Sequence, residues 1–110
     1  MMGPITDLDL KMAIYDISPT TRAKVNRDRT IDYLDGEPSF SFQDLLFQII
    51  RKHRDYLLQE TDWWAVADRT MTSEQTAYRT ALRDLPANSP NASLDEQGNL
   101  INVTWPTKPE

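Results

Sequence analysis

A chain of 110 residues, 39% of them hydrophobic, holds one domain at most and buries only part of its surface, so its stability is modest. A formal charge of -5 argues against a phosphate-backbone partner, and the absence of cysteine removes disulfides, thiol catalysis and cysteine-based zinc sites while fitting a reducing cytoplasm. Met1-Met2-Gly3-Pro4 has neither the basic start nor the apolar core of a signal peptide, and no apolar run approaches the ~18 residues of a membrane span, so no membrane partner is expected.

From Leu8 to Ile14 the apolar Leu8, Leu10, Met12 and Ile14 alternate with Asp9, Lys11 and Ala13, which is the period of a half-buried strand. No partner strand lies nearby. Such a strand pairs with a distant segment, lies on its own domain as an extended arm, or adds to another chain's sheet edge. Ser18-Pro19-Thr20-Thr21 marks a break, and the basic run Arg22 to Arg29, which carries Asp28, reads as a solvated face. Residues 1–40 are therefore expected as an extended N-terminal arm. Asp35-Gly36-Glu37-Pro38 is a turn, because Gly36 tolerates positive φ and Pro38 punctuates the path.

A long helix is expected from about Phe42 to Gln59. Ser41 can cap it, with Asp44 at capping-box spacing, and Phe42, Leu45, Leu46, Ile49, Ile50, His53 and Leu57 recur at helical intervals. At roughly 1.5 to 3 kcal/mol per buried large side chain, this stripe contributes about 10 kcal/mol once another surface covers it. Ordering the backbone costs a comparable amount, so the helix needs a packing partner.

Thr61-Asp62 can cap a short helical turn through Trp63, Trp64, Ala65 and Val66 that ends near Asp68-Arg69. A second helix starts at Thr72, which sits at capping-box spacing from Gln75. Its stripe is Ala77, Tyr78, Ala81, Leu82 and Leu85, and Pro86 stops it. The two helices fold back as an antiparallel hairpin over residues 41–86, with the tryptophans covering one end at the bend.

Over residues 87–110 the chain becomes loop, then the turn Asp95-Glu96-Gln97-Gly98-Asn99, then a strand from Leu100 to Trp105. That strand either forms a small hairpin with Ala92-Ser93-Leu94 or lies across the helices with Trp105 filling a gap; Pro106 and Pro109 enforce an extended end. The fold class is thus mainly α, a helical hairpin with an extended N-terminal arm and a short β or extended C-terminal tail.

Catalytic, cofactor and metal residues are not expected. His53 is the single histidine and sits on or beside the apolar stripe, with no second soft ligand to build a zinc or iron site. Asp62 and Asp68 read as a helix cap and a turn residue rather than as paired carboxylates. The three glycines form no phosphate loop. Arg79 and Arg83, one helical turn apart, can reach Asp62 or Glu60 within the domain or an acidic patch on a partner. The tryptophans supply either core or contact area for another chain. Candidate protein-interface residues are Trp63, Trp64, Tyr78, Arg79, Arg83, Trp105 and Pro106, together with Leu8, Leu10, Met12 and Ile14 of the arm.

The ordered landmarks Arg54-Asp55-Tyr56-Leu57-Leu58, Thr61-Asp62-Trp63, Tyr78-Arg79-Thr80-Ala81-Leu82-Arg83-Asp84 and Val103-Thr104-Trp105-Pro106-Thr107-Lys108-Pro109 resemble the bacteriophage tail assembly chaperone family, over roughly the last 55 to 60 residues. Departures are the long interval from Leu85-Pro86 to Val103, with its acidic turn, and the second tryptophan, Trp64. The resemblance implies a small non-enzymatic protein, made in the host bacterial cytoplasm, whose partners are phage tail, tail-fibre or neighbouring virion proteins, in multiple copies and without cofactors. It implies first a structural component of the tail or tail fibre, located in the virion. The alternative is a soluble assembly chaperone absent from the mature virion, and a third reading is a small host-directed binding module.

Overall fold

The computed structural model describes residues 3–66 and 70–109. Three helices dominate: α1 (Asp7–Ile17), α2 (Phe42–Glu60) and α3 (Ser73–Asp84). Two antiparallel ribbons complete the fold, β1 (Ala23–Val25) with β2 (Ile31–Tyr33) and β3 (Ser93–Leu94) with β4 (Leu100–Ile101). The mainly α fold class with short extended parts is thus observed. The end of the short turn near Asp68-Arg69 lies outside the described residues.

Helix α2 forms where the apolar stripe requires it, and its start is fixed by Ser41. The Ser41 hydroxyl accepts from the Asp44 amide at 3.1 Å while the Asp44 carboxylate accepts from the Ser41 amide at 2.8 Å, so two amides that the helix itself leaves unpaired are satisfied. Helix α3 repeats the device with Thr72 and Gln75, at 3.1 and 3.0 Å.

The expected strand at Leu8 to Ile14 is instead the middle of α1. A third capping box decides it: the Thr6 hydroxyl accepts from the Asp9 amide at 3.2 Å, and the Asp9 carboxylate accepts from the Thr6 amide at 2.9 Å. Asp7 and Asp9 also lie in the first turn, where the helix dipole favours negative charge. The period-2 pattern was a coincidence of two interleaved helical sets. Leu10, Ala13 and Ile14 point inward, whereas Leu8, Met12 and Tyr15 point outward.

The N-terminal forty residues are therefore not an extended arm in structure. Ile5, Leu10, Ala13 and Ile14 pack directly on Leu45 and Ile49 of α2, with Val25, Ile31, Tyr33 and Phe40 closing the cluster. A second cluster joins Ile50 to Leu85 and Ala92, and a third gathers Trp64, Tyr78 and Leu82 against Leu57 and Leu58. The three clusters follow one another along α2, which gives the molecule its elongated 52 × 29 × 20 Å form.

Arg29, inside the run expected to be a solvated face, ties the ends of the chain together. Its Nε donates to the Ile5 carbonyl at 2.7 Å and its Nη2 to the Gln97 carbonyl at 2.8 Å, while the Ile5 amide donates to the Gly98 carbonyl at 2.8 Å. Gly98 sits at φ +82°, and a Cβ there would meet the Arg29 guanidinium.

Helix and strand assignments at the N-terminus make opposite predictions. On a strand Leu8 and Leu10 would share a face, whereas on α1 Leu10→Ala removes a fully buried side chain and costs about 2 to 5 kcal/mol. Leu8→Ala alters a 61% exposed site and stays within about 0.5 kcal/mol. Urea unfolding followed by circular dichroism at 222 nm checks the contrast; equal costs would contradict it.

Candidate protein-interaction site

The landmarks of the second half converge on the end of α2. Between α2 and α3 a 3-10 turn, Asp62–Ala65, carries both neighbouring tryptophans, and its geometry turns Trp64 inward and Trp63 outward. Trp64 stacks at a tilt on Tyr78 with ring centroids 6.0 Å apart. Trp63 meets Trp64 edge-on at 6.1 Å and keeps 52% of its surface exposed.

Arg79 lies buried at the joint. One terminal nitrogen donates to the Leu58 carbonyl at 2.9 Å and the Thr61 hydroxyl at 2.7 Å, and the other pairs with Asp62 at 2.9 Å. Leu58 is one of the last residues of α2, and its carbonyl also accepts from the Thr61 amide at 3.1 Å and hydroxyl at 3.2 Å, so the guanidinium reinforces the C-terminal cap from a different helix. Asp62 is accordingly not the helix cap expected of it: no side-chain cap bond opens the 3-10 turn, and its carboxylate is occupied by Arg79. The internal ion pair foreseen for Arg79 is present. Arg83 is exposed, and its backbone carbonyl accepts from Arg54 at 3.4 Å.

The C-terminal tail realises both of its expected alternatives. Ser93 pairs with Ile101 and Leu94 with Leu100, after which Asn102 adopts φ +64° and ends the strand short of Trp105. The chain then crosses the helices. Trp105 touches the second and third clusters and meets His53 edge-on at 4.9 Å. Burial holds the His53 imidazole below its usual value, favouring the neutral ring. Lys108 pairs with Glu60 at 3.0 Å and lies 6.0 Å from the Trp64 ring, so the tail is held down beyond Pro106. A cleft of about 210 Å³ remains between His53, Leu57, Tyr78, Trp105, Pro106 and Lys108.

The sequence-derived candidates thus separate into two groups. Leu10, Ile14, Trp64, Tyr78 and Arg79 are interior residues that shape the surface from below: Leu10, Ile14, Trp64 and Tyr78 belong to the apolar clusters, and Arg79 is held by its bonds to Leu58, Thr61 and Asp62. Leu8, Met12, Trp63 and Arg83 lie on the surface, and Trp105 and Pro106 are partly covered. Tyr15 was missed; it extends Leu8 and Met12 into an i, i+4, i+7 stripe along the outer face of α1, a pattern visible once the segment is read as helical. Tyr56, Val66 and Leu34 add further exposed apolar area. Among the described residues no group of histidine, aspartate and glutamate side chains is arranged to hold a metal ion, and no helix is long and apolar enough to cross a membrane.

Residues 47–110 match the model of a family described as phage tail assembly chaperone protein. The matched region begins inside α2 and takes in the Arg79 joint, α3 and the crossing tail. Neither the curated proteins nor the solved structures contain a match.

The Arg79 joint has an asymmetric energetic signature. Arg79→Ala removes a buried guanidinium together with its bonds to the Leu58 carbonyl, the Thr61 hydroxyl and Asp62, and costs roughly 1.5 to 3 kcal/mol. Asp62→Ala removes only the exposed partner, 64% accessible at its side chain, and costs under about 1 kcal/mol. Paired denaturant curves check this; equal losses would show that the ion pair, rather than the capping bonds, holds the joint.

Proposed function

Because the chain belongs to the phage tail assembly chaperone family, we propose that it is an assembly chaperone, a non-catalytic protein that binds a tail protein while the particle is being built and is absent from the finished virion. The family match across residues 47–110 carries this reading. A role in tail assembly follows from the family; release before completion is the finer step proposed here.

The surface is suited to holding a partner's apolar segments. Leu8, Met12 and Tyr15 present a helical stripe that the described residues leave largely exposed, and Trp63 and Val66 present a second apolar area at the α2–α3 bend. Exposed aromatic and aliphatic groups on a folded scaffold give contact area without the cost of ordering the binder. The tail-fibre or virion component favoured first by the resemblance uses the same surfaces and differs in how long the contact lasts. In either case the protein acts in the infected bacterium beside tail proteins.

Quantitative mass spectrometry of purified particles and of infected-cell lysate separates the two. The chaperone reading predicts abundant protein in the lysate, co-purifying with a tail protein, and none at fixed stoichiometry in particles; a fixed copy number in particles would replace it with the structural reading. Leu8→Asp combined with Met12→Asp is expected to weaken tail-protein binding at least about tenfold while leaving helicity unchanged.

A further inference from the structure

The β2 edge of the ribbon formed by β1 and β2 is unpaired among the described residues, and its chemistry is specific. Ala23 faces Tyr33, Lys24 faces Asp32 and Val25 faces Ile31. The Leu34 amide donates to the Arg22 carbonyl at 3.0 Å and the Asn26 amide to the Thr30 carbonyl at 2.9 Å. Bonded pairs alternate along an antiparallel ribbon, so the bonded positions are 22/34, 24/32 and 26/30, and the amides and carbonyls of Ile31 and Tyr33 point away from β1. No hydrogen bond from those groups to another part of the chain is present among the described residues.

That edge forms one wall of a cleft of about 730 Å³, whose opposite wall is the segment leading into α2. Tyr33 and Phe40 meet edge to face at 5.9 Å, and Phe42, 40% exposed, also lines the cleft. Glu37 and Asp44 supply its acidic groups. Arg29 is the one cation lining it, and two of its donors are committed to the Ile5 and Gln97 carbonyls.

We propose that the β2 edge docks an extended segment of a partner protein, added as a third strand, in which apolar residues alternate with lysine or arginine. The alternation follows from the pleat. Residues of an added strand that face the same way as Ile31 and Tyr33 enter the cleft over Phe40 and Phe42, and those between them lie on the opposite face beside exposed Asp32, with exposed Glu37 of the cleft lining adding to the acidic field. Charge argues for a different chain rather than a second copy. An isologous pair of β2 edges would bring Asp32 and its acidic neighbours against their own symmetry mates within a protein of net charge -5. The inference rests on the tail-protein partner proposed above and specifies how one of its segments is held.

Titrating the full chain with a ten-residue peptide alternating valine and lysine, and with its valine and glutamate counterpart, tests this by NMR amide exchange. The basic peptide is expected to bind at least about tenfold more tightly and to slow exchange at the Ile31 and Tyr33 amides. Tyr33→Pro removes one outward donor without touching a β1–β2 bond, and Glu37→Lys reverses an exposed charge without altering the backbone; each is expected to weaken binding about tenfold or more. Should the proline variant fail to fold by circular dichroism, Glu37→Lys decides alone. Absence of binding, binding with the two amides unprotected, equal affinity for both peptides, or protection that grows with the concentration of the chain alone through dimers would each overturn the proposal. A tail protein that binds while these amides stay unprotected removes only the edge; a chain that binds no tail protein removes the chaperone reading itself.

Discussion

Helix α2 presents more apolar surface than any single neighbour covers, and the rest of the chain is arranged around that constraint. Its first half carries Leu45 and Ile49, its middle Ile50, and its last turns Leu57 and Leu58. Left in water these positions would forfeit the gain that offsets ordering 19 residues of backbone. Three parts of the sequence therefore converge on one helix: α1 with the first ribbon, then Leu85, Ala92 and the second ribbon, then α3 with Trp64. Because the clusters succeed one another, the protein is long and thin and leaves outer faces uncovered. Those faces are what a partner meets.

Two arginines convert packing into a defined arrangement. Hydrophobic clusters are weakly directional, so alternative slides of one element over another differ little in buried area. Arg79 removes that freedom at one end by tying α3 to the Leu58 carbonyl, the Thr61 hydroxyl and Asp62, and Arg29 removes it at the other by binding carbonyls at residues 5 and 97. Both use the planar spread of guanidinium donors to reach acceptors from separate segments, a task for which an ammonium is less suited. The family-matched region includes the first of these ties and only one side of the second.

What was legible in the sequence were features with a local physical signature. The capping boxes at Ser41 and Thr72, the stop at Pro86, the turns at Gly36 and Gly98 and the reach of Arg79 to Asp62 all depend on spacing over a few residues or on one helical hairpin. The N-terminus was misread because Leu8, Leu10, Met12 and Ile14 fit period 2 over a window too short to show the helical one, although Thr6 and Asp9 carried the same capping signal used elsewhere. Arg29 was unreadable for a different reason: its acceptors are backbone carbonyls 24 and 68 residues away, which no side-chain pattern announces. Which tryptophan of the adjacent pair turns inward likewise depends on the 3-10 geometry, and composition carries no trace of it.

The central claim is that residues outside the family-matched region are structural partners of it, joined through α2 into one cooperative unit. Native-state hydrogen exchange at increasing denaturant measures this directly. Protected amides in α1, in α2 and in α3 are predicted to merge into a single opening reaction with one free energy and one denaturant dependence. If α1 opened in a separate, lower-energy reaction while α2 and α3 kept their full protection, the N-terminal segment would be an appendage, and the account of α2 as a shared core would be contradicted.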